Sequence, residues 1–205
     1  YLEAEGHLLT ETPASEEAAI SYDATGDGLT FVSNPLEEET EFCGPIAAKI
    51  WVSSDTKDTD IFLIVRVFSA DLKEVVFHGA LDPHTPVASG WLRASHRKLD
   101  VDRSEEWAPF HTHDVEEPLE PGQVYELDVE IHASGMVIPM DYRLALSIRG
   151  CDYVYPGEPD AGLSNMKNQF TGVGPFLHDD PDNRPAEIFE NKVTVHIGPD
   201  HAGYL

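Results

Sequence analysis

Apolar and polar residues alternate along much of this chain with a period of two, the spacing that puts successive side chains on opposite faces of a β-strand. The densest stretch runs from Phe42 to Phe68. Ile46, Ala48, Ile50 and Val52 share one parity, and Ala47, Lys49, Trp51 and Ser53 the other. After the turn-rich segment 53–60, Ile61, Leu63, Val65 and Val67 alternate with Phe62, Ile64, Arg66 and Phe68. This second strand is apolar on both faces except at Arg66, so it is expected to be covered on both sides by a further layer. Segment 53–60 is too polar to bury on its own and is expected to be an exposed turn.

The same reading extends to both ends. Residues 1–28 read as a linker or extended entry segment from something upstream, and residues 29–205 as the domain proper. Short strands are expected at Leu29–Ser33 and Glu39–Phe42, a hairpin arm at Lys73–Leu81 and a long strand at Ala88–Leu99. The cleanest alternation sets Val124, Glu126, Asp128 and Glu130 against Tyr125, Leu127, Val129 and Ile131, one face wet and the other apolar. Tyr142, Leu144, Leu146 and Ile148 repeat the device, with Arg143, Ser147 and Arg149 expected to face outward. Tyr153–Arg184 has no sustained period, and Asn191–Ile197 reads as the last strand. With no long amphipathic helix and no repeat, the pattern predicts an all-β fold, a jelly-roll β-sandwich.

At 205 residues the chain can bury one sizeable core. Its net charge of −25 excludes nucleic acid and anionic membrane surfaces as partners, because nothing here could neutralise phosphates. No apolar run approaches the roughly 20 residues of a spanning helix. Two cysteines, Cys43 and Cys151, read as buried free thiols and point to a cytoplasmic protein.

Candidate chemistry is sparse. Gly162-Leu163-Ser164-Asn165-Met166 comes nearest to a nucleophile elbow but lacks the closing glycine and a preceding strand. His111-Thr112-His113 followed by Glu117 resembles part of a cupin metal motif, although Pro109 and Pro118 interrupt the strands such a motif needs. Asp179, Asp180 and Asp182 beside Arg184 could hold a cation or form a charged loop, and the loop is the reading adopted; His178 lies in the same run. Asp23-Ala24-Thr25-Gly26-Asp27-Gly28 carries half of a calcium loop and reads as a turn. No cofactor is expected. Trp51 and Trp91 are expected in the core, leaving Trp107 as the exposed aromatic available to a sugar.

Several motifs then coincide in order and spacing: Gly44-Pro45-Ile46 leading to Ile50-Trp51-Val52-Ser53-Ser54-Asp55, then Asp58-Thr59-Asp60-Ile61-Phe62. Leu92-Arg93-Ala94-Ser95-His96-Arg97, Pro118-Leu119-Glu120-Pro121-Gly122-Gln123-Val124-Tyr125, His178-Asp179-Asp180-Pro181 and Val195-His196-Ile197-Gly198 follow. Together they resemble the C-terminal domain of the X-Pro dipeptidyl-peptidase and cocaine esterase family of serine hydrolases. The resemblance implies a galactose-binding-like jelly roll packed on an α/β-hydrolase catalytic domain of the same parent chain. It implies that the Ser-Asp-His triad lies in that other domain, so no catalytic residue is expected here. Members cleave esters, amides or dipeptides, and this domain would shape the active-site wall and the domain or subunit contacts, with a homo-oligomer as a further expectation. Tyr153, Tyr155, Phe170, Phe176, His178 and Arg184 are the candidate contact residues. The alternative reading is a carbohydrate-binding β-sandwich module.

Overall fold

The computed structural model describes residues 1–79, 82–157, 171–174 and 177–205. In chain order the strands are β1 (Leu2–Glu3), β2 (Leu8–Leu9), β3 (Ala18–Asp23), β4 (Leu29–Ser33), β5 (Thr40–Ser54) and β6 (Asp60–Phe68). They continue as β7 (Glu74–Val75), β8 (Ala88–Arg93), β9 (Tyr125–Ile138), β10 (Arg143–Arg149) and β11 (Lys192–Ile197). One sheet runs β1-β2-β4-β10-β6-β7, with β8 also paired to β6; the other runs β3-β11-β5-β9. The two pack face to face as a β-sandwich.

The alternating pattern specifies the shared core. Ile61, Leu63 and Val65 of β6, with Leu146 and Ile148 of β10, meet Ile50 and Val52 of β5, Leu127 and Val129 of β9, and Val195 of β11; all are 0–2 % exposed. Near one rim β8 and β9 approach until only glycine fits. A Cβ on Gly90 would lie 2.0 Å from the Glu130 carbonyl oxygen.

The structure corrects several expectations. Residues 1–28 are not simply a linker, because β3 pairs along its full length with β11 and β2 pairs in parallel with β4. Satisfying backbone groups in a ladder outweighs the polar composition of this stretch. The Glu39–Phe42 and Ile46–Ser53 strands are one, bulged between Gly44 and Ile46. The expected hairpin arm at Lys73–Leu81 shrinks to β7; Leu81 lies outside the described residues. The expected strand at Ala88–Leu99 stops at Arg93, where the Ala94 N–H donates to the Thr59 carbonyl and a 3-10 turn (Ala94–His96) begins.

Segment 53–60 is exposed only at its middle: Asp55 and Lys57 face solvent, while Ser53, Ser54, Thr59 and Asp60 are buried. Their polar groups are satisfied within the chain. Asn191 Nδ2 donates to Ser54 Oγ (2.9 Å) and the Asp58 carbonyl (2.8 Å), while Asp58 accepts from the Ser95 N–H (3.0 Å) and hydroxyl (2.7 Å). Hydrogen-bonded polar groups can be buried at little cost. Cys43 is exposed and Cys151 half-buried, both free, instead of two buried thiols. Cys43 lies where β5 and β9 run on beyond the core.

Candidate functional site

The second face of β6 positions the site. Phe62, Ile64 and, on neighbouring β10, Ala145 and Ser147 are buried on the side away from the sandwich core. Ser147 therefore does not face solvent as its alternation suggested; its hydroxyl is 2.8 Å from the Thr30 hydroxyl beneath the covering segments. The cover comes from residues 150–157, 171–174 and 177–189, and charged and aromatic side chains hold it down.

Asp60, at the start of β6, is the anchor. Arg93, its register partner on β8, donates Nε to Oδ1 (2.8 Å) and Nη2 to Oδ2 (3.1 Å), a planar two-point pairing. Arg184 approaches the same carboxylate from the covering segment, its Nε 2.9 Å from Oδ2. Arg184 Nη2 donates to the Gly150 carbonyl (2.6 Å) and Nη1 to the His178 carbonyl. Phe189, from the single-turn helix α1 (Ala186–Phe189), lies 4.5 Å from the Arg93 guanidinium. The Asp60 hydrogen bonds hold Arg93 above its ordinary pKa, so it stays charged at any working pH.

A second buried pair lies further along. Arg66 donates Nε and Nη2 to Glu74 (2.9 and 2.6 Å), and the Tyr153 hydroxyl donates to the same carboxylate (2.7 Å). Burial, then the Glu74 carboxylate, pushes the Tyr153 phenol well above its usual range. Asp82 gathers the cover from a third point, accepting from the Gly172 and Gly174 N–H groups at 2.8 Å each.

The candidate contact residues fall out accordingly. Tyr153 is 1 % exposed and belongs to the layer beneath the surface. Tyr155 stacks on His84 at 4.5 Å. His178 packs between Phe62 (5.2 Å) and Trp91 (5.0 Å), its Nδ1 2.9 Å from Asp152 Oδ1. Arg184 is the anchor just described. Phe170 and Phe176, like the Ser164 pentapeptide, lie outside the described residues.

Asp179, Asp180 and Asp182 are exposed; Asp180 accepts from the Asp182 N–H (3.0 Å) in a tight turn, and Arg184 pairs with Asp60 instead of any of them. His111 and His113 have rings 6.0 Å apart, and His113 Nδ1 meets His96 Nδ1 at 3.1 Å. Burial, then the neighbouring His113, lowers the pKa of His111. Among the described residues no group of three His, Cys, Asp or Glu side chains is placed to hold a metal ion. The Asp23–Gly28 segment forms a turn closed by the Gly26 N–H on the Asp23 carbonyl (2.8 Å).

Sequence reasoning misplaced two tryptophans. Trp91 is 50 % exposed and Trp51 only half-buried, because both point to outer faces, opposite in parity to Leu92 and to Ile50 and Val52. Beside Trp91 open two adjoining cavities, of about 220 and 460 Å³, which share Trp91, Leu92, Arg93 and Asn183. Their signal was available in the strand parity. Trp107 is exposed as expected, at 56 %, on the loop that also carries Val101 and Phe110. No helix among the described residues is long and apolar enough to cross a membrane.

Comparison with known proteins agrees with this geometry. Residues 1–205 match the family described as the X-Pro dipeptidyl-peptidase C-terminal non-catalytic domain. Two crystal structures of a CocE/NonD family hydrolase from Staphylococcus aureus superpose with a TM-score of 0.79, at 23 % and 24 % identity, over 99 % and 98 % of this chain. An aminopeptidase from the marine sediment archaeon Thaumarchaeota archaeon superposes over 96 % of this chain at 16 % identity and a TM-score of 0.56. The chain spans about a third of the length of these proteins, 34 % of the first two and 33 % of the third. A search of curated proteins finds no match. A sandwich whose outer face is closed by its own ion pairs, matched from end to end by one family, belongs to the X-Pro dipeptidyl-peptidase C-terminal non-catalytic domains.

Proposed function

We propose that this chain is the non-catalytic C-terminal domain of a serine hydrolase of the X-Pro dipeptidyl-peptidase or acyl-esterase type. In this reading it docks on the α/β-hydrolase catalytic domain of the same parent chain and forms part of the active-site wall. The observation that carries the reading is the family match over residues 1–205. The jelly-roll, galactose-binding-like strand arrangement, a cytoplasmic location and homo-oligomer formation belong to the same proposal.

The docking face we propose is the one carrying Val101 (85 % exposed), Trp107 (56 %) and Phe110 (37 %). The patch extends toward Tyr204, whose hydroxyl donates to Glu106 (3.5 Å), and toward Tyr1, edge-on to Tyr204 at 5.8 Å. Apolar side chains grouped in this way mark contact surfaces. Val101→Asp with Trp107→Asp should lower the unfolding midpoint and the ester hydrolysis of the full-length parent protein while leaving the midpoint of the 205-residue chain unchanged. Full activity and an unaltered midpoint in the parent protein would rule this face out.

A further inference from the structure

We propose that the groove beside Trp91 is a binding site for a neutral saccharide unit. The indole is half exposed yet fixed in orientation, with the His132 ring edge-on at 5.4 Å and the His178 ring at 5.0 Å. Polar groups around it are aimed by partners behind them. Arg93 Nη1 donates to Asn183 Oδ1 (2.9 Å), so the amide has its NH₂ group left to offer. Asp152 engages His178 Nδ1 (2.9 Å), leaving Nε2 as the ring nitrogen without a partner among the described residues. Asp180 adds a carboxylate to the same cavity wall.

The charges in the groove select against ionic ligands. Arg93 and Arg184 share the Asp60 carboxylate, and Asp180 on the same wall supplies a second negative charge, so the two guanidinium groups leave no net cation for an anion. The net charge of −25 repels anions from a distance. A cation on the indole would lie beside the Arg93 guanidinium, which lines the same cavity. What remains is a flat apolar ring flanked by an amide donor, an imidazole nitrogen and a carboxylate. A pyranose fits that set: its C–H face covers the indole while adjacent hydroxyls meet the polar groups. The cavity of about 220 Å³ suits one sugar ring, and the adjoining one of about 460 Å³ leaves room for its neighbour. Trp107 lacks this setting, having Val101 and Phe110 as its exposed loop companions.

The two cavities share no lining residue with the docking face, so a failed sugar titration leaves the docking reading untouched. The 205-residue chain should be titrated with methyl glycosides of hexoses and N-acetylhexosamines, followed by tryptophan fluorescence and saturation-transfer NMR. Saturable millimolar binding, insensitive to salt, is expected. Trp91→Ala should weaken it at least about tenfold, as loss of an aromatic stacking surface does. Asn183→Ala should weaken it several-fold, and Trp107→Ala not at all, with circular dichroism establishing that each variant is folded. Three results would overturn the proposal: no saturation by any glycoside up to about 100 mM, equal damage from Trp107→Ala, or salt-sensitive preference for lysine methyl ester.

Discussion

Asp60→Ala leaves two guanidinium groups facing each other with no carboxylate between them. The Asp60 side chain is 10 % exposed, Arg184 15 % and Arg93 24 %, so water screens the site only in part. Removing one partner from a buried ion pair costs about 3–5 kcal/mol, most of it the penalty of the charge left behind. Arg93 is exposed enough to recover some hydration, which places the expected loss near the lower bound, about 3 kcal/mol. For a chain of this size each kcal/mol shifts the unfolding midpoint by roughly 2–4 °C, so a drop of about 6–12 °C is expected. Urea unfolding with an unchanged m-value would show that the loss lies in the native state. Adding Arg184→Met should recover part of the deficit, since it removes a buried cation and keeps the apolar stem. Asp114→Ala is the matching control. It breaks a pair with Lys98 in which both side chains are exposed, and should leave the midpoint within error. If Asp60→Ala were as mild as Asp114→Ala, the anchoring role of Asp60 would be refuted.

Two further predictions test the sandwich and its electrostatics. Gly90→Ala sets a methyl 2.0 Å from the Glu130 carbonyl oxygen and 2.8 Å from the Ile131 Cα, so the two strands must separate; a loss of about 3 kcal/mol or more in denaturant unfolding is expected. His111 is held below its ordinary pKa of 6.5, first by burial and second by His113, so the unfolded chain takes up that proton before the native one does. Stability should therefore fall as pH drops below about 6.5 and level off once the native imidazole is also charged. His111→Asn should flatten the stability profile between about pH 7 and pH 5, measured by unfolding at fixed ionic strength.

Period-two alternation made the sheets legible and left their covering hidden. β6, β10 and β11, and the core-facing parts of β5 and β9, appear where parity placed them, because a strand with one buried face must repeat every second residue. Ser147 was expected outside and Trp91 in the core, and both expectations failed, because alternation does not reveal how far a covering segment reaches. That segment buries Ser147 but leaves Trp91 half exposed, touching it through His178. The polar residues 53–60 looked unburiable because their partners, Ser95 and Asn191, lie far away in sequence. The Asp60, Arg93 and Arg184 cluster was invisible for the same reason: it joins two strands and a loop through charge, which carries no periodicity. At the N-terminal end, six residues of β3 were enough to make an edge strand, although the surrounding Glu, Ser and Thr resembled a linker.

The central claim is that hydrolytic chemistry resides outside these 205 residues. It is tested most directly by assaying a nitrophenyl ester and an X-Pro anilide with the purified chain, side by side with the full-length product of the same gene. The account predicts turnover by the longer protein and none above background by the chain alone. Turnover by the chain alone, surviving repurification and tracking its concentration, would contradict it and make His111 and His113 the first residues to replace.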